Sequence, residues 1–485
     1  MRGKLKQQTG FYARSINILN STSFLYGILV LAFLQGLWYI ASVRAIIFDE
    51  GRHFGFTQAY SYHISPFFTS QPDSLNSLGS VVRDPSYLFY YLMSWPLRFA
   101  QLISDNFAFQ LTMLRLTSLA LFIGALITFY KVFREAGVPK SVIHVSLLFL
   151  VLTPSIAPLA GAFNYDNAIF LIAGIMLLYA ARLIRDKKPS FEMFSYLLIL
   201  GMLGSLMQFK LIAFVVPVVF YVFYDLWRRH SRKLPGVINK SFFATGLKLR
   251  IGLVIVLVVS AGLFIERPVY NIVKYHTVNP ACTNFATEQA CKQNYIEYRN
   301  ITVLAAKPDS FTPVNPFNYV LIYWVPGMII TTSGLSPWGA SVVLRMVYYV
   351  ATLGGVILVL VYWRYFWRNT SYRLFLITTL GYCILLGQYL YSSYVHFGQP
   401  LAISGRYLLP VMPLFLIFAT LSLAKLFYNH KSSLIVMGML LLFVFATNGG
   451  GITTPIKGAP SEVYWNNHLT VTLNRHAADL LRKIP

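Results

Sequence analysis

The chain has 485 residues, 56% of them hydrophobic and only 12% charged, and its mean hydropathy is +0.58. Too little charge is present to cover the surface of a soluble protein of this length, so the composition indicates an all-α polytopic membrane protein. The net charge of +24 does not imply a nucleic-acid partner. Its lysines and arginines fall in short clusters between apolar runs, which is the form a positive-inside bias takes in sequence.

In chain order, a basic N-terminus (Arg2, Lys4, Lys6, Arg14) precedes an apolar run over 23–42. That run is long for a cleaved signal peptide and reads as a retained first span. With the basic tail cytoplasmic, "AIIFDEGRHF" at 45–54 emerges outside and brings Asp49, Glu50 and His53 to the membrane rim. A polar, aromatic stretch carries Arg83 and Asp84 up to the apolar segment 86–103, which contains Pro96 and Arg98. If this segment lies at the outer interface, the basic clusters after 112–130, 165–181, 211–227, 341–363 and 407–424 all become cytoplasmic. If it crosses, the next several fall outside, so the interfacial placement is preferred. By the same reasoning 318–335, with its proline and glycines, is interfacial or re-entrant. About eleven spans follow at roughly 20 residues each: 23–42, 112–130, 142–160, 165–183, 193–208, 211–227, 250–265, 341–363, 373–392, 407–428 and 432–447. The count rises to about thirteen if both doubtful segments cross.

Aromatic residues at span ends (Trp38, Tyr39, Trp227, Trp363, Trp367, Tyr391, Tyr394) fit an interfacial belt. Cys383 sits in an apolar run and reads as core. Cys282 and Cys291 share a polar loop with no histidine at metal-ligand spacing, so a disulfide is favoured over a zinc site and would need an oxidising compartment. The longest outer segment, 266–316, adds Tyr270, Tyr275, Tyr295 and Tyr298, which suit sugar stacking and headgroup contact alike. The stretch 448–485 reads as a short extracytoplasmic tail after a membrane domain spanning 1–447. No Walker or GxGxxG pattern is present, which argues against an ATP-driven pump.

Several distant loops thus send polar groups to one face: Asp49, Glu50 and His53; Arg83 and Asp84; Asn164 and Asp166 in "GAFNYDNAIF"; Lys210 in "QFKLIAF"; Arg406 and Tyr407 in "ISGRYLLPVMP". Such one-sidedness is the sequence signature of a site between helices. These stretches also carry a resemblance. "FDEGRHF" after a first span resembles the first extracytoplasmic loop of GT-C membrane glycosyltransferases, and "MLRLTSLALFIGALITFYKVFREAG" is similar to the segment that follows it there. "FNYDNAIF" resembles their second acidic loop, and "SGRYLLPVMPLF" their late RYLLP-type stretch. The likeness runs over about 50–415 and is nearest to bacterial members of the protein mannosyltransferase and aminoarabinose transferase branch.

The resemblance implies a GT-C bundle with interfacial helices in its first outer loop, a polyprenyl-phosphate-linked sugar donor and inversion at the anomeric carbon. It also implies that the outer loops 43–111 and 266–340 cover the active site. The acceptor, whether lipid, glycan or protein, stays open. Transfer to a hydroxyl needs a base, and Asp49 matches the family's catalytic aspartate. Glu50 and Asp166 are further catalytic candidates, while His53, Arg83, Asp84, Asn164 and Tyr407 are substrate-binding ones. Arg406 and Lys210 suit the leaving phosphate, arginine as a planar fork of donors and lysine as a point charge. Two acids from separate loops could also hold Mg or Mn, which some superfamily members use and others do not. Simpler roles compete: a helix cap for Asp49 or Asp166, and snorkelling for the two cations. Rival functions are a transporter or flippase of lipid-linked saccharides, a non-catalytic envelope-assembly protein, and a polymerase or ligase using polyprenyl diphosphates. The expected location is the cytoplasmic membrane, with the N-terminus cytoplasmic and the site extracytoplasmic.

Overall fold

The computed structural model describes residues 15–44, 49–66, 79, 83–186, 190–334, 342–427, 434–440 and 450–483. Among these the regular structure is helical, and the one β feature is an isolated bridge between Val43 and Tyr464. The principal helices are α1 (Thr22–Ser42), α2 (Glu50–Ser61), α3 (Leu88–Ile103), α4 (Phe107–Glu135), α5 (Lys140–Leu152), α6 (Ile156–Gly161), α7 (Tyr165–Arg185), α8 (Phe191–Met207), α9 (Ile212–His230), α10 (Leu234–Ala244) and α11 (Leu247–Tyr275). They continue with α12 (Tyr295–Ala305), α13 (Val325–Ser333), α14 (Val342–Val361), α15 (Thr370–Phe397), α16 (Met412–Leu426) and α17 (His468–Lys483).

Six helical segments among the described residues are long and apolar enough to cross a membrane: α1, α4, α7, Phe209–His230, α11 and α15. Four shorter apolar helices, α5, α8, α14 and α16, coincide with four more of the expected spans, and 432–447 lies largely outside the described residues. The structure thus establishes an all-α protein with several membrane-length helices. One expected span is not a single continuous helix. The run 142–160 is broken, because α5 stops at Leu152 and the short α6 restarts at Ile156. Pro154 explains the stop, since it lacks an N–H and pushes the residue before it out of the helical region. At about 1.5 Å per residue, α5 alone is far shorter than a hydrocarbon core of about 30 Å.

The segment 86–103 does form a helix, α3, with one face buried (Phe89, Tyr90, Met93, Leu97, Ala100) and an exposed apolar face (Trp95, Phe99, Leu102). Its awkward arginine has a defined task. Arg98 donates to the carbonyls of Tyr60 and Ser61, each at 3.0 Å, and to that of His63, so a cation closes the negative end of α2. In 318–335 the helix continues through a five-residue π turn, Val320–Trp324, which ends two positions before Pro326. A proline without an N–H to give is a physical reason for widening the ladder there.

α4 packs along α7, α7 against α8, and α9 against α15, around a large shared core. α11 stands at the edge and exposes Ile255, Val258 and Val259, as a lipid-facing helix would. Close approach at the centre depends on glycine, because a Cβ at Gly161 would collide with the backbone oxygen of Gly36 on α1. The tail is a strap. Arg44 N donates to Val463 O, Trp465 N to Ser42 O (both 2.9 Å), and Trp38 Nε1 to Asn474 Oδ1 on α17 at 2.8 Å, so 463–474 closes over the end of α1. Gly161→Ala should destabilise the protein by about 1–3 kcal/mol through overpacking, read as a lower thermal midpoint in detergent; an unchanged midpoint would show that α1 and α6 can part at little cost.

Candidate active site

The site begins with a buried ion pair. Glu50, the first residue of α2, and Arg115, on α4, are both fully buried. Arg115 Nε lies 2.9 Å from Glu50 Oε1 and Nη2 lies 2.5 Å from Oε2. The remaining Arg115 donors reach the carbonyls of Val43 (2.6 Å), Ile40 and Arg44 (3.3 Å each), which lie at the C-terminal end of α1. Glu50 also accepts from Tyr39 Oη at 3.0 Å and from Phe163 N at 2.7 Å. With both oxygens occupied and no exposure, Glu50, expected among the catalytic candidates, is placed to hold structure.

That anchor sets the preceding residue. Asp49 adopts a left-handed backbone, φ 61° and ψ 23°, which is uncommon for a residue with a side chain. It occupies the N-cap position of α2 without capping it. Its carboxylate turns instead to Arg406, with Oδ2 2.9 Å from Nη2. Arg406 Nε lies 3.7 Å from Oδ2 of Asp166, whose side chain is 6% exposed against 48% for Asp49. Carboxylates from residues 49 and 166 thus share one guanidinium at residue 406.

Each partner is held locally. Asn164 caps α7 by accepting from Asp166 N at 2.8 Å, which makes it a support for Asp166 where a substrate contact was expected. Arg406 lies in the turn Gly405–Leu408, which is pressed onto α13. Gly405 N donates to Thr331 Oγ1 at 2.7 Å, and a Cβ at Gly405 would overlap Thr332 Oγ1. Lys210, in the short turn between α8 and α9, has its ammonium 4.5 Å from the Tyr407 ring centre and 5.1 Å from that of Tyr389. Tyr382 Oη donates to Tyr407 O at 2.5 Å. A small cavity of about 20 Å³ lies among Tyr165, Asp166, Gln208, Lys210, Tyr382 and Tyr407. Beyond the 405–408 turn, reached through Leu408, lies an apolar cavity of about 520 Å³ whose walls include Phe149, Met328, Tyr348, Cys383 and Phe415.

Asp49, Asp166, Lys210, Arg406 and Tyr407 therefore converge. His53 sits beside them, its Nδ1 2.9 Å from Tyr90 Oη and its ring edge-on to Tyr165. Arg83 and Asp84 make contacts with residues of α11. Arg83 lies over the Tyr270 ring, and Asp84 accepts from Ser86 N while its carbonyl accepts from Arg267. Arg267 also donates to Tyr60 Oη at 3.0 Å, tying α11 to α2. Cys282 and Cys291 are joined as a disulfide. Among the described residues no group of three or more His, Cys, Asp or Glu side chains is placed to hold a metal ion. Sequence reasoning passed over Arg115, Tyr165, Gln208, Tyr382 and Tyr389. The first was signalled by a charge inside an apolar run, and the tyrosines by hydroxyls in apolar helices that need partners.

Comparison with family models finds no match, and no curated protein matches the chain.

Burial pushes the Asp49 carboxyl up, but Arg406, helped by His53 and Arg52, outweighs this and holds it below its ordinary value. A carboxyl held low adds stability that is fully present above its unfolded pKa of about 3.9 and lost as pH falls through the lower folded value. Thermal midpoints measured from about pH 6 down to about pH 3 should therefore fall more steeply for the wild type than for Asp49→Asn. Parallel curves would mean that the Asp49–Arg406 contact adds nothing to folding. Truncating one side of the buried pair, as in Arg115→Met, should cost about 3–5 kcal/mol by stranding Glu50. Adding Glu50→Gln should recover part of that loss in the same unfolding assay, and strict additivity would refute the coupling.

Proposed function

We propose that this protein is an integral membrane glycosyltransferase with a GT-C-like bundle of about eleven spans. It moves a sugar from a polyprenyl-phosphate carrier to a hydroxyl of a lipid, glycan or protein acceptor at the outer face of a cytoplasmic membrane. The observation that carries the reading is the convergence of Asp49 and Asp166 on Arg406, with Lys210 and Tyr407 beside them.

In this reading Asp49, the half-exposed acid, takes the acceptor proton. The acceptor oxygen forms the new bond to the anomeric carbon as the bond from that carbon to the carrier phosphate breaks. The electron pair leaves on the phosphate oxygen. Arg406 and Lys210 stabilise the charge that develops there, and a site of this kind draws its largest gain from fixed donors of that sort. Asp166 is buried and serves as the fixed counterion of Arg406. Attack from the face opposite the phosphate inverts the anomeric centre. The apolar cavity next to the 405–408 turn suits the hydrocarbon of the carrier. A divalent cation, if used, would engage Asp49 and Asp166 in place of the guanidinium.

Mass spectrometry of products formed by purified protein from a panel of polyprenyl-phosphate sugars tests the reading. Asp49→Asn should lower the transfer rate by about 10²–10⁴-fold while the protein still folds. Arg406→Lys should also fall sharply, since a point charge does not replace a planar fork. Full activity of either variant refutes the assigned role, and lipid movement without a new glycosidic bond refutes the enzyme.

A further inference from the structure

With a lipid phosphate as leaving group, Arg406 has more claimants than it has accessible donors. Its side chain is 10% exposed and already faces two carboxylates, Asp49 at 2.9 Å and Asp166 at 3.7 Å. A carboxylate and a phosphate occupy the same planar fork of a guanidinium. Of the two acids, Asp166 is 6% exposed and begins a long helix, while Asp49 is 48% exposed and sits in a single left-handed turn. An incoming phosphate therefore meets Arg406 on the side that Asp49 holds.

We propose that the carrier phosphate and Asp49 compete for Arg406, so that donor binding releases the base it will need; this rests on the glycosyl-transfer reading above. Without donor, Asp49 is neutralised by Arg406 and is a poor proton acceptor. Once phosphate takes the guanidinium, Asp49 loses its counterion and becomes more basic, with Asp166 keeping Arg406 in place. Donor then binds before the acceptor is activated. After transfer the carrier phosphate has gained charge and Asp49 has gained a proton, so Arg406 stays with the product. Loss of that proton lets Asp49 reclaim Arg406 and expel the carrier.

The test measures binding of polyprenyl phosphate, without sugar, to the full-length protein in nanodiscs by calorimetry. Asp49→Asn should bind it roughly tenfold more tightly than wild type, within the usual range of coupling between two sites. Should that variant not fold, Asp49→Gly serves, because the left-handed backbone at φ 61° suits glycine. Arg406→Gln should bind weakly, and the double variant Asp49→Asn/Arg406→Gln no more tightly than Arg406→Gln alone. Equal affinity of wild type and Asp49→Asn overturns the competition. So does a gain that survives without Arg406, which would reflect loss of a negative charge anywhere nearby. No binding by wild type or Asp49→Asn overturns the lipid-phosphate reading, and the competition with it.

Discussion

An ionised carboxylate cannot sit alone in the interior of a helix bundle, and much of this site follows from how Glu50 is accommodated. Its charge is met by Arg115, and the rest of that guanidinium is spent on carbonyls at the end of α1. Because the pair joins α1, the start of α2 and the middle of α4, the entrance to the first loop has one geometry. The anchor is the immediate neighbour of Asp49 in the chain. The strained backbone at Asp49 persists because both of its neighbours in space, the Glu50 pair and Arg406, are themselves held.

Arg406 is placed by a different device. No opposite charge anchors its backbone. The anchor is a glycine that lets the 405–408 turn lie directly on α13, with Thr331 supplying the matching hydroxyl. The two halves of the site thus rest on separate physical supports, a buried charge pair on one side and a close backbone contact on the other. The Asp49–Arg406 contact is their meeting point and the most exposed of the three links. The buried links thus lie away from the centre of the cluster, and the exposed one lies at it.

What could be read from sequence tracks how much of the signal is local. Asp49, Asp166, Lys210 and Arg406 were legible because each is a charge where an apolar run begins or ends, and the bias of basic clusters put them on one face. Glu50 was not separable from Asp49, because adjacent acids look alike until one is seen to be buried. Arg115 was overlooked for the opposite reason, being hidden within an apolar run where hydropathy averages it away. Pro154 lies inside the run 142–160, which its apolar composition led us to read as one continuous span. Arg83 and Asp84 followed the right loop, but which cluster a loop residue joins depends on α11, far away in sequence. The docking of the tail on α1 left no local sign at all, since a backbone ladder requires no particular side chains.

The strap from 463 to 474 has a consequence for biogenesis. Asp49 and Arg406 stand 357 residues apart, and the backbone that closes over α1 lies further on still. A ribosome therefore threads most of the chain into the bilayer before the arginine that pairs with that aspartate exists. Until the last helices arrive, the nascent bundle holds an acid without its arginine, and the paired site cannot form while the chain is still being made.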